Sequence, residues 1–242
     1  MNVTRLACAI AALALTATGL AGCGSTTPQR LCSHPLASAF ATLEAGKQAD
    51  TAISVSAPDL AICTAEALGQ LKGYQEETMK NGKIHSHSRV NINPLKVDMV
   101  IDEPLSGQFE QVILIEGFAF AKVNGTWIQA TEDADDPAIR SLLNLPQSFQ
   151  TQFNPRLRAA GTDSSIRYTV VGTDTVLGQP VIVMEATIAN KAESYTSRYY
   201  LNKNYVLLRS DAVSSAGTTT TSRLTEIDVP QTITNPLLPA KS

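Results

Sequence analysis

The sequence is poor in what nucleic-acid binding and catalysis require. Its 19 Lys and Arg stand against 22 Asp and Glu, a net charge of −3. No basic block occurs, and phosphate recognition needs clustered cations, so nucleic acid is excluded as a partner. For the same reason no polybasic segment suited to anionic headgroups is visible. There is no GxSxG elbow, no HExxH, no SxxK arrangement and no phosphate-cradling glycine loop, so the chain reads as a non-enzyme that needs no cofactor. Aromatic residues make up only 5% of the chain, with a single Trp. Four cysteines and no CxxC spacing make a zinc site a poor reading.

What is present begins at the N-terminus. Arg5 precedes an apolar run from Leu6 to Leu20, too short and too weakly flanked for a spanning helix and built like a secretory signal peptide. The run ends in Leu20-Ala21-Gly22-Cys23. These residues resemble the lipobox of bacterial lipoproteins, in which the cysteine is acylated, by palmitate among other chains, and becomes the first residue of the mature protein. On this reading residues 1–22 are removed, Cys23 carries lipid, and residues 23–34 form a tether. Two or three acyl chains give stable anchoring where one gives marginal binding. The domain is therefore expected in the bacterial cell envelope, lipid-anchored on the extracytoplasmic side of a membrane. Cys8 leaves with the signal peptide and Cys23 is taken by lipid. Cys32 and Cys63 remain, and in an oxidising compartment two thiols are most simply a disulfide.

The mature chain is one domain's worth of residues, here 35–230, with 231–242 expected as a flexible, proline-containing tail. Leu36, Phe40 and Leu43 suit a short amphipathic helix. A second helix follows Pro58-Asp59, with Leu60, Cys63, Ala67, Leu68 and Leu71 on one stripe. At Tyr74 the period switches to that of strands. Asn81-Gly82 and Asn124-Gly125 are hairpin turns, since both positions need positive φ. The strands between and around them are Lys83–Asn91, Leu95–Asp102, Gln108–Glu116, Phe118–Val123 and Thr126–Gln129. Val112–Ala121 is apolar on both faces apart from Glu116, which predicts a central place in the sheet. Asp136 as N-cap and Pro137 start a helix carrying Ile139, Leu142 and Leu143, and a further helical piece runs from Gln147 toward Leu157. Strands return at Ile166–Gly172, Gln179–Ala189, Ser194–Leu201, Val206–Ser215 and Thr218–Val229. No strand–helix alternation of the βαβ type appears. The fold class is α+β: a large curved antiparallel sheet with helices covering its concave face.

This layout resembles the LolA/LolB-like half-barrel lipoproteins, and more closely the LppX/LprG group. The likeness is carried by Val123-Asn124-Gly125-Thr126-Trp127, by Thr173–Pro180 before Val181-Ile182-Val183, and by Tyr199–Asn204 with Val206–Arg209. Leu224–Pro230 closes it. The Cys32/Cys63 pair lies outside that likeness. The resemblance implies a lipid, lipoglycan or glycolipid ligand whose acyl chains lie in a cavity between sheet and helices. It also implies an envelope transporter or acceptor protein as partner.

Two clusters compete with bland readings. His85 and His87 share a strand face but have no local Cys or carboxylate to complete a metal site, and an exposed pair explains them. Glu132, Asp133, Asp135 and Asp136 lack the calcium-loop pattern, and an acidic helix N-terminus explains them. Met99, Val112, Leu114, Phe118, Phe120, Ile139, Leu142, Leu143, Phe149, Phe153, Val183 and Ile188 are the candidate cavity lining, each of which ordinary core packing would also explain. Exposing a sixteen-carbon chain to water costs on the order of 10 kcal/mol at ~0.8 kcal/mol per methylene, so a carrier needs a dry groove. A groove already filled by side chains would instead suit a structural or sensory lipoprotein that binds another protein.

Overall fold

The computed structural model describes residues 31–47, 51–102, 104, 108–189 and 194–237. The expected signal segment, residues 1–22, and the expected lipidation site Cys23 lie outside the described residues. The chain order is α1 (Ala37–Glu44), β1 (Ser54–Ser56), α2 (Ala57–Gly69), β2 (Gly73–Lys80), β3 (Lys83–Asn91), β4 (Lys96–Ile101), β5 (Gln111–Ile115), β6 (Phe118–Val123) and β7 (Thr126–Gln129). Then come α3 (Pro137–Ser141), a 3-10 turn Leu142–Asn144, α4 (Leu145–Phe153) and α5 (Pro155–Ala160). Strands β8 (Arg167–Val176), β9 (Gln179–Ala189), β10 (Ser194–Leu201), β11 (Leu207–Ser214) and β12 (Thr219–Thr225) follow.

All strands join one 12-stranded sheet in the order β1-β8-β9-β10-β11-β12-β2-β3-β4-β5-β6-β7. The two meanders meet where β12 pairs antiparallel with β2, and β1 and β7 stand at opposite edges without pairing to each other. Every pairing is antiparallel. The fold is thus the α+β half-barrel: an open sheet with its helices on one face.

Local sequence explains the punctuation. Asn81-Gly82 and Asn124-Gly125 take positive φ as two-residue hairpins demand. Glu116-Gly117 and Leu177-Gly178 turn the chain the same way without Asn or Asp in the first place. Ser56 caps α2 by accepting from the Asp59 amide, and Asp136 caps α3 by accepting from the Ala138 amide. The helix expected from Gln147 to Leu157 is broken in two. Pro155 disfavours helical backbone in the residue before it, and Asn154 is extended at φ −97°, ψ 109°. Its side chain then caps α5 by accepting from the Arg156 and Leu157 amides.

Two apolar layers sit under the helices. α1 and the first half of α2 (Leu36, Phe40, Leu60, Cys63) pack on Tyr168, Val170, Ile182, Met184 and Leu201 of β8–β10. The second half of α2 (Ala67, Leu68, Leu71) joins Ile139, Leu142 and Leu145 over Tyr74, Val90, Val97, Val112, Leu114 and Leu224. The Cys32–Cys63 disulfide, across a sequence separation of 31, clamps the N-terminal segment to α2. Closing that loop stabilises the fold by about 3–4 kcal/mol in the chain-entropy model.

Two expectations need correction. β5 is not central but third from the β7 edge. It is apolar on both faces because Ile113, Ile115 and Phe120, which alternate with Val112 and Leu114, form a separate cluster with Ile233 and Trp127. The expected flexible tail is the second correction, because its first residues are what cover that outer face. The Gln231 amide donates to Asn91 Oδ1 at 2.8 Å and Asn91 Nδ2 donates back to the Gln231 carbonyl at 2.7 Å. Gly73 leaves room for this strap, since a Cβ there would lie 2.6 Å from the Val90 carbonyl and 2.8 Å from the Val229 carbonyl. Residues 238–242 lie outside the described residues.

Candidate functional site

The structure gathers most of the candidate lining into one layer, and fills it. Val112, Leu114, Ile139, Leu142 and Val183 are buried in the larger core cluster, and Met99, Phe149 and Phe153 pack against its edge. Ile188 borders the α1 cluster instead. Phe120 faces the opposite side of the sheet under Ile233, and Phe118 and Leu143 are exposed, at 53% and 41%. Val183 alternates with Ile182 and Met184 and pairs with Tyr200, so it too faces away from the helices, and these five do not line the space between the sheet and α3–α5. β6 alternates, so Phe118 and Phe120 point away from Ala119 and Ala121, which face the helices.

An open cleft lies instead at the rim of that layer, where the β3–β4 turn meets the α4–α5 break. It measures about 420 Å³ and is lined by Leu31, Ile92, Leu95, Gln150, Phe153, Asn154, Pro155 and Arg156. Ile92, Leu95 and Phe153 belong to both structures: they wall the cleft and pack on the edge of the buried layer. The apolar floor of the cleft is therefore continuous with the core beneath α4. Of these residues only Phe153 was legible as a candidate. Ile92 and Leu95 flank the Asn93-Pro94 turn, where apolar side chains have no strand to bury them, and that was the available signal.

The N-terminal segment reaches the same place. The amides of Leu31 and Cys32 both donate to Glu66 Oε2 of α2, at 3.1 and 3.0 Å. The Leu36 amide, fully buried, donates to Tyr205 Oη at 2.9 Å. Deeper in the helix-facing side, Ser222 Oγ donates to Glu76. Burial pushes the Glu76 carboxyl above the usual 4.5, and the Ser222 bond only partly opposes it. Burial likewise raises the Tyr74 hydroxyl, with the Glu76 charge adding to the effect and Arg158 opposing it.

A second hollow, about 450 Å³, lies over Arg198, Arg209, Asp211 and Thr221 on β10–β12. These residues alternate with Tyr199 and Leu201 of the α1 layer, so they face away from the helices. Its cations are satisfied: Arg198 pairs with Glu185 at 2.6 Å and Arg209 with Asp211 at 2.8 Å. Burial alone would raise Asp211, but bonds from Arg209, Thr221 and Tyr200 outweigh it and hold the carboxyl low. His87 meets Asp102 at 3.2 Å. Among the described residues no group of three or more His, Cys, Asp or Glu is placed to hold a metal ion.

No family model matches the sequence, and no curated protein matches it. The chain aligns with several solved structures, each at a TM-score below 0.5. One is lipoprotein LppX of Mycobacterium tuberculosis, at 16% identity and TM-score 0.47, covering 74% of this chain and 100% of that one. LprF of Mycobacterium bovis follows at 13% identity and TM-score 0.46, covering 75% of this chain and 98% of that one. A LolA superfamily protein of Nitrosomonas europaea is more distant, at 10% identity and TM-score 0.26, with coverage of 74% and 96%.

Proposed function

We propose that the protein is an envelope lipoprotein, anchored through acyl chains on Cys23, that binds the acyl chains of a lipid or glycolipid between its sheet and the α3–α5 helices. One observation carries this reading. The open apolar cleft shares Ile92, Leu95 and Phe153 with the closed layer beneath α4, so a chain entering the cleft can continue inward by displacing that helix.

The filled interior fits such a carrier in its unliganded form. A dry void of the cleft's size would cost roughly 10 kcal/mol at about 24 cal/mol per Å³, as much as the whole stability of an ordinary domain. Helices over an empty groove therefore settle into it. Phe149 and Phe153, partly buried and on the short α4, fill the space. Ligand binding then exchanges side-chain contacts for chain contacts. No step requires a catalytic group, and Arg156 at the cleft wall suits an anionic headgroup.

The same filling favours a second reading, a half-barrel whose groove serves as a structural or sensory surface for another envelope protein. The two are separated by mass spectrometry of organic extracts from the protein purified out of its own envelope. Acyl lipid well above a denatured control supports the carrier. No lipid above that control supports the partner reading.

A further inference from the structure

We propose that α5 and the tether exit form a docking face that lays the cleft mouth against an anionic lipid bilayer. This rests on the lipid-anchor reading but goes beyond it, because an anchor alone leaves a domain free to turn in any direction.

Seven residues lie between Cys23 and Leu31, and the eight steps along the chain bound the distance from the acylated residue to the cleft wall at about 28 Å when fully extended. The exit point is fixed. Glu66 holds the amides of Leu31 and Cys32, and the disulfide ties Cys32 to α2. Leu31 is itself 36% exposed and lines the cleft.

Beside it, α5 presents Arg156, Leu157 and Arg158, all exposed, with Leu157 at 47%. An apolar side chain flanked by two guanidiniums suits a headgroup layer: the leucine enters the acyl boundary while the arginine stems follow it and their charges stay at phosphate level. Neither arginine has an ion-pair partner among the described residues, whereas Arg89, Arg198, Arg209 and Arg223 on the outer sheet face each hold a carboxylate. The nearby Asp163 is turned into its own loop by bonds from Ser165 N and Oγ. Unpaired cations, an exposed leucine and the tether exit therefore meet on one rim of the cleft, and a membrane phosphate layer complements them.

The test uses the acylated protein reconstituted in vesicles of phosphatidylcholine with phosphatidylglycerol. An environment-sensitive fluorophore is placed at Leu157→Cys or, as a control, at Ile84→Cys, which lies at the far end of β3 from the cleft. At 157 the emission should shift to the blue and be quenched by a lipid-borne nitroxide, while the probe at 84 stays in water. Arg156→Gln with Arg158→Gln should lower the ratio of docked to free probe by about 30-fold, from ~1 kcal/mol per cation near an anionic surface. Equal quenching at 157 and 84, or a signal at 157 unchanged by the double substitution, overturns the proposal. Binding of a fluorescent fatty acid without vesicles is measured on the labelled Ile84→Cys protein, in which both arginines are kept. No binding there, with the quenching at 157 and its loss in the double variant both observed, would overturn the carrier reading and leave the docking face standing.

Discussion

Removing the disulfide tests how the N-terminal segment is held. Cys32 and Cys63 are both buried, and the bond spans a separation of 31 residues. The chain-entropy relation gives about 3.7 kcal/mol for a loop of that length. Each kcal/mol shifts the melting temperature of a domain this size by roughly 2–4 °C, so Cys32→Ala with Cys63→Ala should melt about 7–15 °C lower. Thermal unfolding of the double variant, set beside reduced and oxidised wild type, measures this. Hydrogen exchange adds a local readout. The amides of Leu31 and Cys32, held by Glu66 in the oxidised protein, should lose protection more than those of β3 or β9. A melting temperature within about 2 °C of wild type would refute the reasoning, because the loop-closure entropy would then be supplied by other contacts.

Two further outcomes follow from the core. Glu76 has its carboxyl raised in the folded state, so its contribution to stability is fully present below the unfolded value and is lost as pH rises through the folded one. Glu76→Gln should therefore be more stable than wild type in mildly alkaline buffer and equal to it below pH 4.5, read from urea midpoints. Gly73→Ala would press a methyl group into the Val90 and Val229 carbonyls and should cost about 1–3 kcal/mol in denaturant unfolding, with the tail residues Gln231 and Ile233 becoming accessible to protease.

Most of the sheet could be read from period and turn chemistry. Lys83–Asn91, Phe118–Val123, Thr126–Gln129, Gln179–Ala189 and Ser194–Leu201 have the bounds expected of them, because turn residues punctuate the strands at short intervals. β1 escaped notice because three residues carry no period. The place of β5 was misjudged because an apolar outer face can be covered by any distant segment, here the strap ending in Ile233. The cleft was the least legible feature. Its walls come from a strand turn, a helix break and the tether exit, which only the tertiary fold brings together. Phe149 and Phe153 carry the opposite lesson. Their four-residue spacing marks a helix, which breaks at Asn154, but sequence cannot tell a side chain that lines a groove from one that fills it.

The central claim is that α4 must move for a chain to enter, and a reversible staple tests it directly. A Cβ built at Gly69 lies 4.0 Å from Phe153 Cβ, within the range that a disulfide spans. Gly69→Cys with Phe153→Cys would therefore pin the end of α4 to α2 when oxidised. Titration with a fluorescent fatty acid, with wild type under the same redox conditions as control, should show binding only after reduction of the staple. Equal binding by the oxidised and reduced forms would contradict a mobile lid and with it the proposed path into the core.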